Sequence, residues 1–333
     1  MSVNPISNSG AQRSVRVLVF DPIEENRKTL RQTLKSIGFR DADESQNLTQ
    51  FQAALEFTPY DLVFAECCQD AGGEKGNHAD LLATTIKSLR YGDVGLNPYL
   101  VVINTAWLLD KQLVSSIIGS GTDDLLARPF STEAIKQRIT LQINSRKGFV
   151  ITSDYVGPDR RKNKHRASTA FKINVPNSLQ AIINKDRERL SQLRTDIEAT
   201  KATIIIEKMR RQPLSIGVIA NQLSDASRDK ATNLAGKEKL EKNFHDLLIL
   251  TDDLNKRIGQ TGFSQSESLS LTLHKLAGSM MKKFKSGDML DTDELAQLKQ
   301  HSTSLQIAFN PDETEDSIAM NISSVASRQP SIV

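Results

Sequence analysis

The densest concentration of binding chemistry in this chain is a pair of arginines on a glycine–proline turn. Arg160, Arg161, Lys162, Lys164 and Arg166 crowd around a single acid, Asp159, directly after Gly157 and Pro158. A guanidinium group forks onto phosphate or carboxylate oxygens through two parallel hydrogen bonds. Arg160 and Arg161 are therefore candidate anion-binding residues for a phosphate, a nucleotide or the acidic face of a partner. The competing reading is a solvated linker or docking peptide. The run is too short and too poor in aromatics to indicate nucleic acid. Cys67 and Cys68 are adjacent thiols, redox-sensitive if exposed, although small buried cysteines more commonly just pack. With only 2 cysteines in 333 residues a disulfide framework is excluded, which points to a reducing compartment.

Such residues need elements to hold them. Val15 to Phe20 (VRVLVF) is a near-continuous β-branched and apolar run, as expected of a strand buried on both faces of a parallel sheet. Glu24 to Ile37 follows with Leu30, Leu34 and Ile37 at helical spacing, and Gly38 closes it. Leu48 to Phe57 repeats the helical pattern, and Leu62 to Ala65 reads as a second buried strand. A loop with Gly72, Gly73 and Gly76 leads to a helix near Asp80 to Leu89. Tyr99 to Asn104 reads as strand, Leu109 to Ile118 as helix, Asp124 to Ala127 as strand and Thr132 to Ile143 as helix. This alternation predicts an α/β, doubly wound parallel domain over residues 14–146, with its site at the carboxyl ends of the strands. Residues 1–13 read as a disordered start, 147–176 as an exposed basic linker and 309–333 as a disordered tail.

Residues 177–308 are expected to form an all-α helical region. Leu179, Ile183, Leu190, Leu193, Ile197 and Ile204 make a stripe of coiled-coil character, suited to an intramolecular bundle or a dimerising hairpin. Further helices are expected at Lys237 to Ile258, Ser266 to Lys285 and Thr292 to Ala308, punctuated by Pro213, Gly262 and Gly287. The net charge of +3 gives no argument for a nucleic-acid partner. No apolar run reaches the ~20 residues that cross a bilayer, and the first residues lack a secretory h-region. The expectation is a soluble cytoplasmic protein with no membrane association.

Gly121 to Phe130 (GTDDLLARPF) resembles the end of a bacterial response-regulator receiver domain, where a strand closes on a basic residue, a proline and an apolar residue. Counted back from this anchor, residues 15 to 146 fit the receiver plan in order and spacing, which implies a five-stranded parallel sheet. The resemblance implies Mg²⁺ held by an acidic pair after the first strand and by an aspartate after the third, which accepts a phosphoryl group. A Ser or Thr after the fourth strand and a Lys after the fifth would bind the phosphate. Those places hold Asp21, Glu66, Thr105 and Arg128. The partner of Asp21 is Pro22, which has no ligating side chain, and Glu66 is one methylene longer than the usual acceptor. Asp21 and Glu66 are thus the candidate metal residues, for a Mg²⁺ whose binding the substitutions put in doubt. Asp61 reads as a strand-start residue and Asp70 lies beyond the acceptor place. One reading is a built-in Glu66–Arg128 ion pair that fixes a conformation without phosphate, since Arg forks onto a carboxylate as Lys cannot. Another is a scaffold whose site has lost its function, and a third is phosphorylation of Glu66 itself.

Tyr155 to Arg161 resembles a Tyr-x-Gly-Pro-Asp-Arg-Arg segment of receiver-bearing bacterial signalling proteins, without a defined chemistry. His274 to Ser279 (HKLAGS) is similar to the His-x-Leu-Lys-Gly-Ser element of histidine phosphotransfer domains, with Ala277 in place of the lysine. His274 is therefore a candidate phosphohistidine, and otherwise a polar-face residue of a packing helix. No Walker loop, zinc pattern, Ser–His–Asp signature or helix-turn-helix string is present, which argues against an enzyme. The resulting expectation is a receiver-like signalling adaptor of a two-component phosphorelay, with a degenerate phosphoacceptor place and no cofactor. Its partners would be a histidine kinase or other two-component proteins, with a homodimer through the helical region. The alternatives are a phosphorelay protein using His274, or a nucleotide-binding regulator using Arg160 and Arg161.

Overall fold

The computed structural model describes residues 13–67, 78–107, 109–161, 171–228, 234–259, 263 and 266–310. The glycine-rich loop, Cys68, Asp70, Lys162, Lys164, Arg166 and Gly262 lie outside these residues, as do nearly all of the expected disordered start and tail. The chain divides into two compact units, the first ending at Ile204 apart from a short turn, the second beginning at Ile205.

The first unit opens with β1 (Arg16–Phe20), α1 (Glu24–Ser36), β2 (Asp41–Ser45), α2 (Leu48–Phe57) and β3 (Leu62–Glu66). It continues with α3 (His78–Tyr91), β4 (Val101–Ala106), α4 (Lys111–Gly119), β5 (Asp124–Ala127) and α5 (Thr132–Asn144). The five strands pair in parallel in the order β2-β1-β3-β4-β5, a doubly wound sheet of the flavodoxin-like type. β3 and β4 are buried throughout, as their unbroken apolar runs require. Alternate side chains feed two cores. Leu18, Val63 and Val102 meet α2 and α3 on one face, while Val17, Val19, Phe64 and Ile103 meet α1 and α5 on the other. Helix starts are set by side chains: Asn47, Asp110 and Ser131 each accept a backbone N–H three residues on. Strand β2 (DADES) escapes sequence reading because it is an edge strand whose one buried alkyl group is Ala42.

Within the expected exposed linker, the described residues include a small folded sheet. β6 (Phe149–Ile151), β7 (Val156–Pro158) and β8 (Phe171–Ile173) form an antiparallel sheet in the order β7-β6-β8. Phe149, Ile151 and Val156 are buried with Tyr99, Ile197 and Ile204. Each strand is three residues long, too short to show a period. The helical region expected from residue 177 is likewise divided. α6 (Ser178–Ile183) and the start of α7 (Arg187–Arg228), as far as Ile204, belong to the first unit. The stripe read as a coiled coil is used within that unit. Leu179 and Leu190 join the core under α1 and α5, and Leu193, Ile197 and Ile204 join the core of the small sheet.

The second unit comprises the rest of α7, α8 (Leu234–Ile258), α9 (Glu267–Ser286) and α10 (Thr292–Phe309). Its core combines Met209 and Ile216 of α7, Phe244 and Leu254 of α8, Leu273 and Met280 of α9, and Leu298 and Phe309 of α10. α7 runs through Pro213, which sequence reading takes as a stop. A mid-helix proline costs about 3 kcal/mol. Burial of Met209 before it and of Ile216, Ala220 and Leu223 after it offsets that cost, at about 1.5–3 kcal/mol for each larger side chain. α9 ends at Gly287, whose φ of 88° is left-handed. Among the described residues no helix is long and apolar enough to cross a membrane.

Candidate functional site at the carboxyl ends of the strands

Strand register brings the receiver-site residues together. Phe20 lies beside Ala65, and Glu66 beside Thr105. Asp21 is one residue past β1, Glu66 is the last of β3, Thr105 lies near the end of β4, and Arg128 follows β5. Asp21, Glu66 and Thr105 are each 1–2% exposed. Arg128 Nε donates to Glu66 Oε2 at 2.6 Å, and its Nη2 donates to Asp21 Oδ2 at 2.9 Å. The Thr105 hydroxyl donates to the same Glu66 oxygen at 2.5 Å. One guanidinium therefore bridges both acids. Its central carbon lies 4.8 Å from the Phe130 ring centroid and 5.7 Å from that of Trp107, within cation–π range.

A second guanidinium, missed in the sequence, closes the loop after β1. Arg27 Nη1 donates to the carbonyls of Asp21 and Pro22 at 2.7 and 3.1 Å, and its Nε donates to Glu44 at 3.0 Å. The signal was its spacing: Arg27, Leu30 and Leu34 share the buried stripe of α1. Asp21 Oδ1 accepts from the Ile23 N–H at 2.8 Å. Burial pushes the Asp21 carboxyl above its ordinary value, with the Ile23 N–H and Arg128 holding it back. Burial likewise raises Glu66, opposed by the Thr105 hydroxyl and Arg128.

The donor set does not fit a divalent cation. Mg²⁺ requires carboxylate oxygens free to face it in near-octahedral geometry. Here Pro22 replaces one acid, and the Arg128 guanidinium occupies the facing oxygens of the two that remain. Among the described residues no cluster of three or more His, Cys, Asp or Glu could hold a metal.

The other candidates lie elsewhere. Arg160 turns inward, donating from Nε to the Tyr155 hydroxyl at 3.0 Å and from Nη2 to the Thr122 carbonyl at 2.5 Å. Arg161 pairs with Asp159 through Nε and Nη2, both at 2.9 Å. The two arginines are directed at different groups of their own chain, so they do not present the paired fork expected of an anion site. Asp61 is fully buried and accepts from Arg13 and from the Arg16 N–H, consistent with a strand-start role. Cys67 is 3% exposed, which removes the access that redox sensitivity needs. His274 sits half-buried on α9, with Nδ1 at 2.7 Å from the Thr251 hydroxyl of α8.

A further buried cluster has no warning in the sequence beyond its charges. Asp123 accepts from Arg90 Nη2 and Arg146 Nε, both at 2.8 Å, and from the Val102 N–H at 2.9 Å. Both guanidinium carbons lie over Phe149, at 5.2 and 5.3 Å. Burial pushes the Asp123 carboxyl up, but Arg146 and Arg90 more than offset this and leave it below its ordinary value.

Strand order and site together define a doubly wound α/β domain with an arginine-filled centre. No family model matches the chain and no curated protein matches it. Among solved structures it is similar to a response regulator from Thermotoga maritima, with 20% identity and a TM-score of 0.33, over 40% of this chain and 100% of that one. A signal receiver domain from Bermanella marisrubri is 22% identical with a TM-score of 0.33, over 40% of this chain and 100% of that one. An orphan response regulator of Helicobacter pylori is 20% identical with a TM-score of 0.31, over 39% and 96%.

Proposed function

We propose that the first unit is a response-regulator receiver fold that works without phosphoryl chemistry, as a signalling adaptor for two-component partners. The observation that carries this reading is the bridge from Arg128 to both Asp21 and Glu66. A phosphorylatable centre must admit a metal ion and an incoming phosphoryl group between these residues. Here a resident guanidinium supplies the positive charge, and the Thr105 hydroxyl is already turned onto Glu66. The contact face would be the surface beside this centre. Trp107 and Leu109 are 55% and 46% exposed there, next to α4 and Arg128. Exposed aromatics beside an arginine suit a protein partner. The test is incubation with acetyl phosphate and a panel of kinase cores beside a control receiver. The expected result is no incorporation, with partner capture unaffected by Glu66→Gln. Hydroxylamine-labile label that disappears in Glu66→Ala would refute the reading.

A second reading, phosphotransfer through His274, is favoured by one observation. Gly278 follows His274 by one turn inside α9, where glycine costs about 1 kcal/mol relative to alanine. An added Cβ there would meet nothing nearer than Leu248 Cδ2 at 3.9 Å, so packing does not require the glycine. The Thr251 hydroxyl has a carbonyl to donate to, that of Leu247 at 2.9 Å. It can then accept from Nδ1–H, which leaves the Nε2 lone pair as the nucleophile. Acid-labile, hydroxylamine-tolerant label lost in His274→Ala would establish this reading. No label from any donor would dismiss it.

A further inference from the structure

The Tyr155–Arg161 segment grips one end of β5, and Arg128 stands at the other. Gly121 and Gly157 meet backbone to backbone. A Cβ on Gly121 would fall 2.5 Å from the Val156 carbonyl oxygen, and one on Gly157 would fall 2.7 Å from Gly121 Cα. The Gly121 carbonyl accepts from Arg90 Nε at 2.9 Å, and the Thr122 carbonyl accepts from Arg160. Arg160 is itself aimed by the Tyr155 hydroxyl, which receives its Nε and in turn donates to the Pro158 carbonyl at 3.0 Å. Asp159 gathers Arg161 and Lys172 across the small sheet. Each polar residue of the segment from Tyr155 to Arg161 thus has a partner that builds or attaches the segment.

β5 is a strand of four residues that, among the described residues, pairs with β4 alone. Its position along β4 is fixed where its ends are fixed. At the entry, the Asp123 N–H donates to the Val102 carbonyl at 2.8 Å. At the exit, the Arg128 N–H donates to Ala106 at 2.8 Å. A shift of this short strand carries Arg128 with it.

We infer that Arg160 is a positioning residue for the centre. Through the Thr122 carbonyl it sets the placement of β5, and through β5 it sets the seat of the Arg128 guanidinium between Asp21 and Glu66. This inference rests on the reading of Arg128 as the resident cation. It gives the Tyr-x-Gly-Pro-Asp-Arg-Arg segment a task distinct from anion binding: a grip on the strand that carries the site's basic residue.

Trp107, the single tryptophan of the chain, lies against Arg128 and reports its placement. The experiment uses the full chain as Arg160→Ala, Arg160→Lys and Arg128→Ala, held well below the melting temperature. Tryptophan emission and amide exchange are followed. Arg160→Ala is expected to move Trp107 emission toward that of Arg128→Ala. It is also expected to speed exchange of the Arg128 N–H by about tenfold, while β1 amides are unchanged. Arg160→Lys cannot make both bonds of the original fork and is expected to fall between. A lowered melting temperature with unaltered Trp107 emission and unaltered Arg128 exchange would overturn the inference and leave Arg160 a structural residue. Should Arg160→Ala fail to fold, Tyr155→Phe deletes only the aiming hydroxyl and is judged by the same criteria. Arg128→Ala with wild-type emission would overturn the reading of the centre, and the inference with it.

Discussion

Replacing Asp123 by asparagine removes the anion that lets two guanidinium groups share the interior of the first unit. The Arg90 and Asp123 side chains are 0% exposed and that of Arg146 is 6% exposed. The amide can still accept from the Val102 N–H, so the loss isolates the charge. Breaking a buried pair by removing one partner costs about 3–5 kcal/mol, because the remaining charge is left uncompensated. Backbone carbonyls moderate this. Arg90 also donates to Gly121, Pro98 and Leu100, and Arg146 donates to Tyr99 and Leu100. The lower part of the range is therefore expected, about 3 kcal/mol. With a urea slope of about 2 kcal/mol per molar, the midpoint should fall by about 1.5 M. Trp107 emission follows the transition of this unit. The folded carboxyl lies below its unfolded value, so its contribution is fully present above about pH 4 and is lost as pH falls through the folded pKa. The gap between wild type and variant should be flat at neutral pH and narrow only in acid. A midpoint shift below about 0.5 M, or a gap that widens in acid, would refute the reasoning.

Other outcomes follow from the same geometry. Burial raises both Asp21 and Glu66, so their protonated forms stabilise the fold at low pH, and this is lost as pH rises through the folded pKa values. Glu66→Gln removes one such group, so its stability relative to wild type should improve from acid toward neutral pH in urea titrations. Gly121→Ala combines a φ of +96° with a collision against the Val156 carbonyl, and should lower the first unit's stability by more than about 2 kcal/mol in thermal melts. Gly278→Ala should instead raise the second unit's stability by about 0.5–1 kcal/mol, because the added methyl has room. Pro213→Ala restores a donor for the Met209 carbonyl within an intact helix and should raise the melting temperature of the same unit, read by circular dichroism.

The parallel sheet was legible because β1, β3 and β4 are long apolar runs separated by amphipathic helices. The three later helices were legible because their apolar residues recur at helical spacing. β2 was not, since an edge strand written DADES presents acids to water and one methyl group to the core. The small sheet was not, since three-residue strands show no period and Tyr155 to Arg161 has the composition of a linker. The stripe from Leu179 to Ile204 was visible, but no local pattern tells a surface that binds another helix from one that covers a sheet. At the centre, Asp21, Glu66, Thr105 and Arg128 could be placed by counting from Pro129. Arg27 could not, because a charged residue on an apolar stripe is ordinarily taken as an interruption.

The small sheet also has a consequence for how this α/β domain can be moved between proteins. A cut after residue 146 would fall just past the last helix of the parallel-sheet domain. It would strip Phe149, Val156 and Ile197 from Tyr99, and bare the guanidinium groups of Arg90 and Arg146 that Phe149 covers. The transferable cassette reaches at least to Ile204, inside α7. A graft that ended at residue 146 would carry the site but leave behind the scaffold that seats it. For this chain, a junction within α7 keeps the small sheet with the parallel-sheet domain, whereas one at residue 146 separates them.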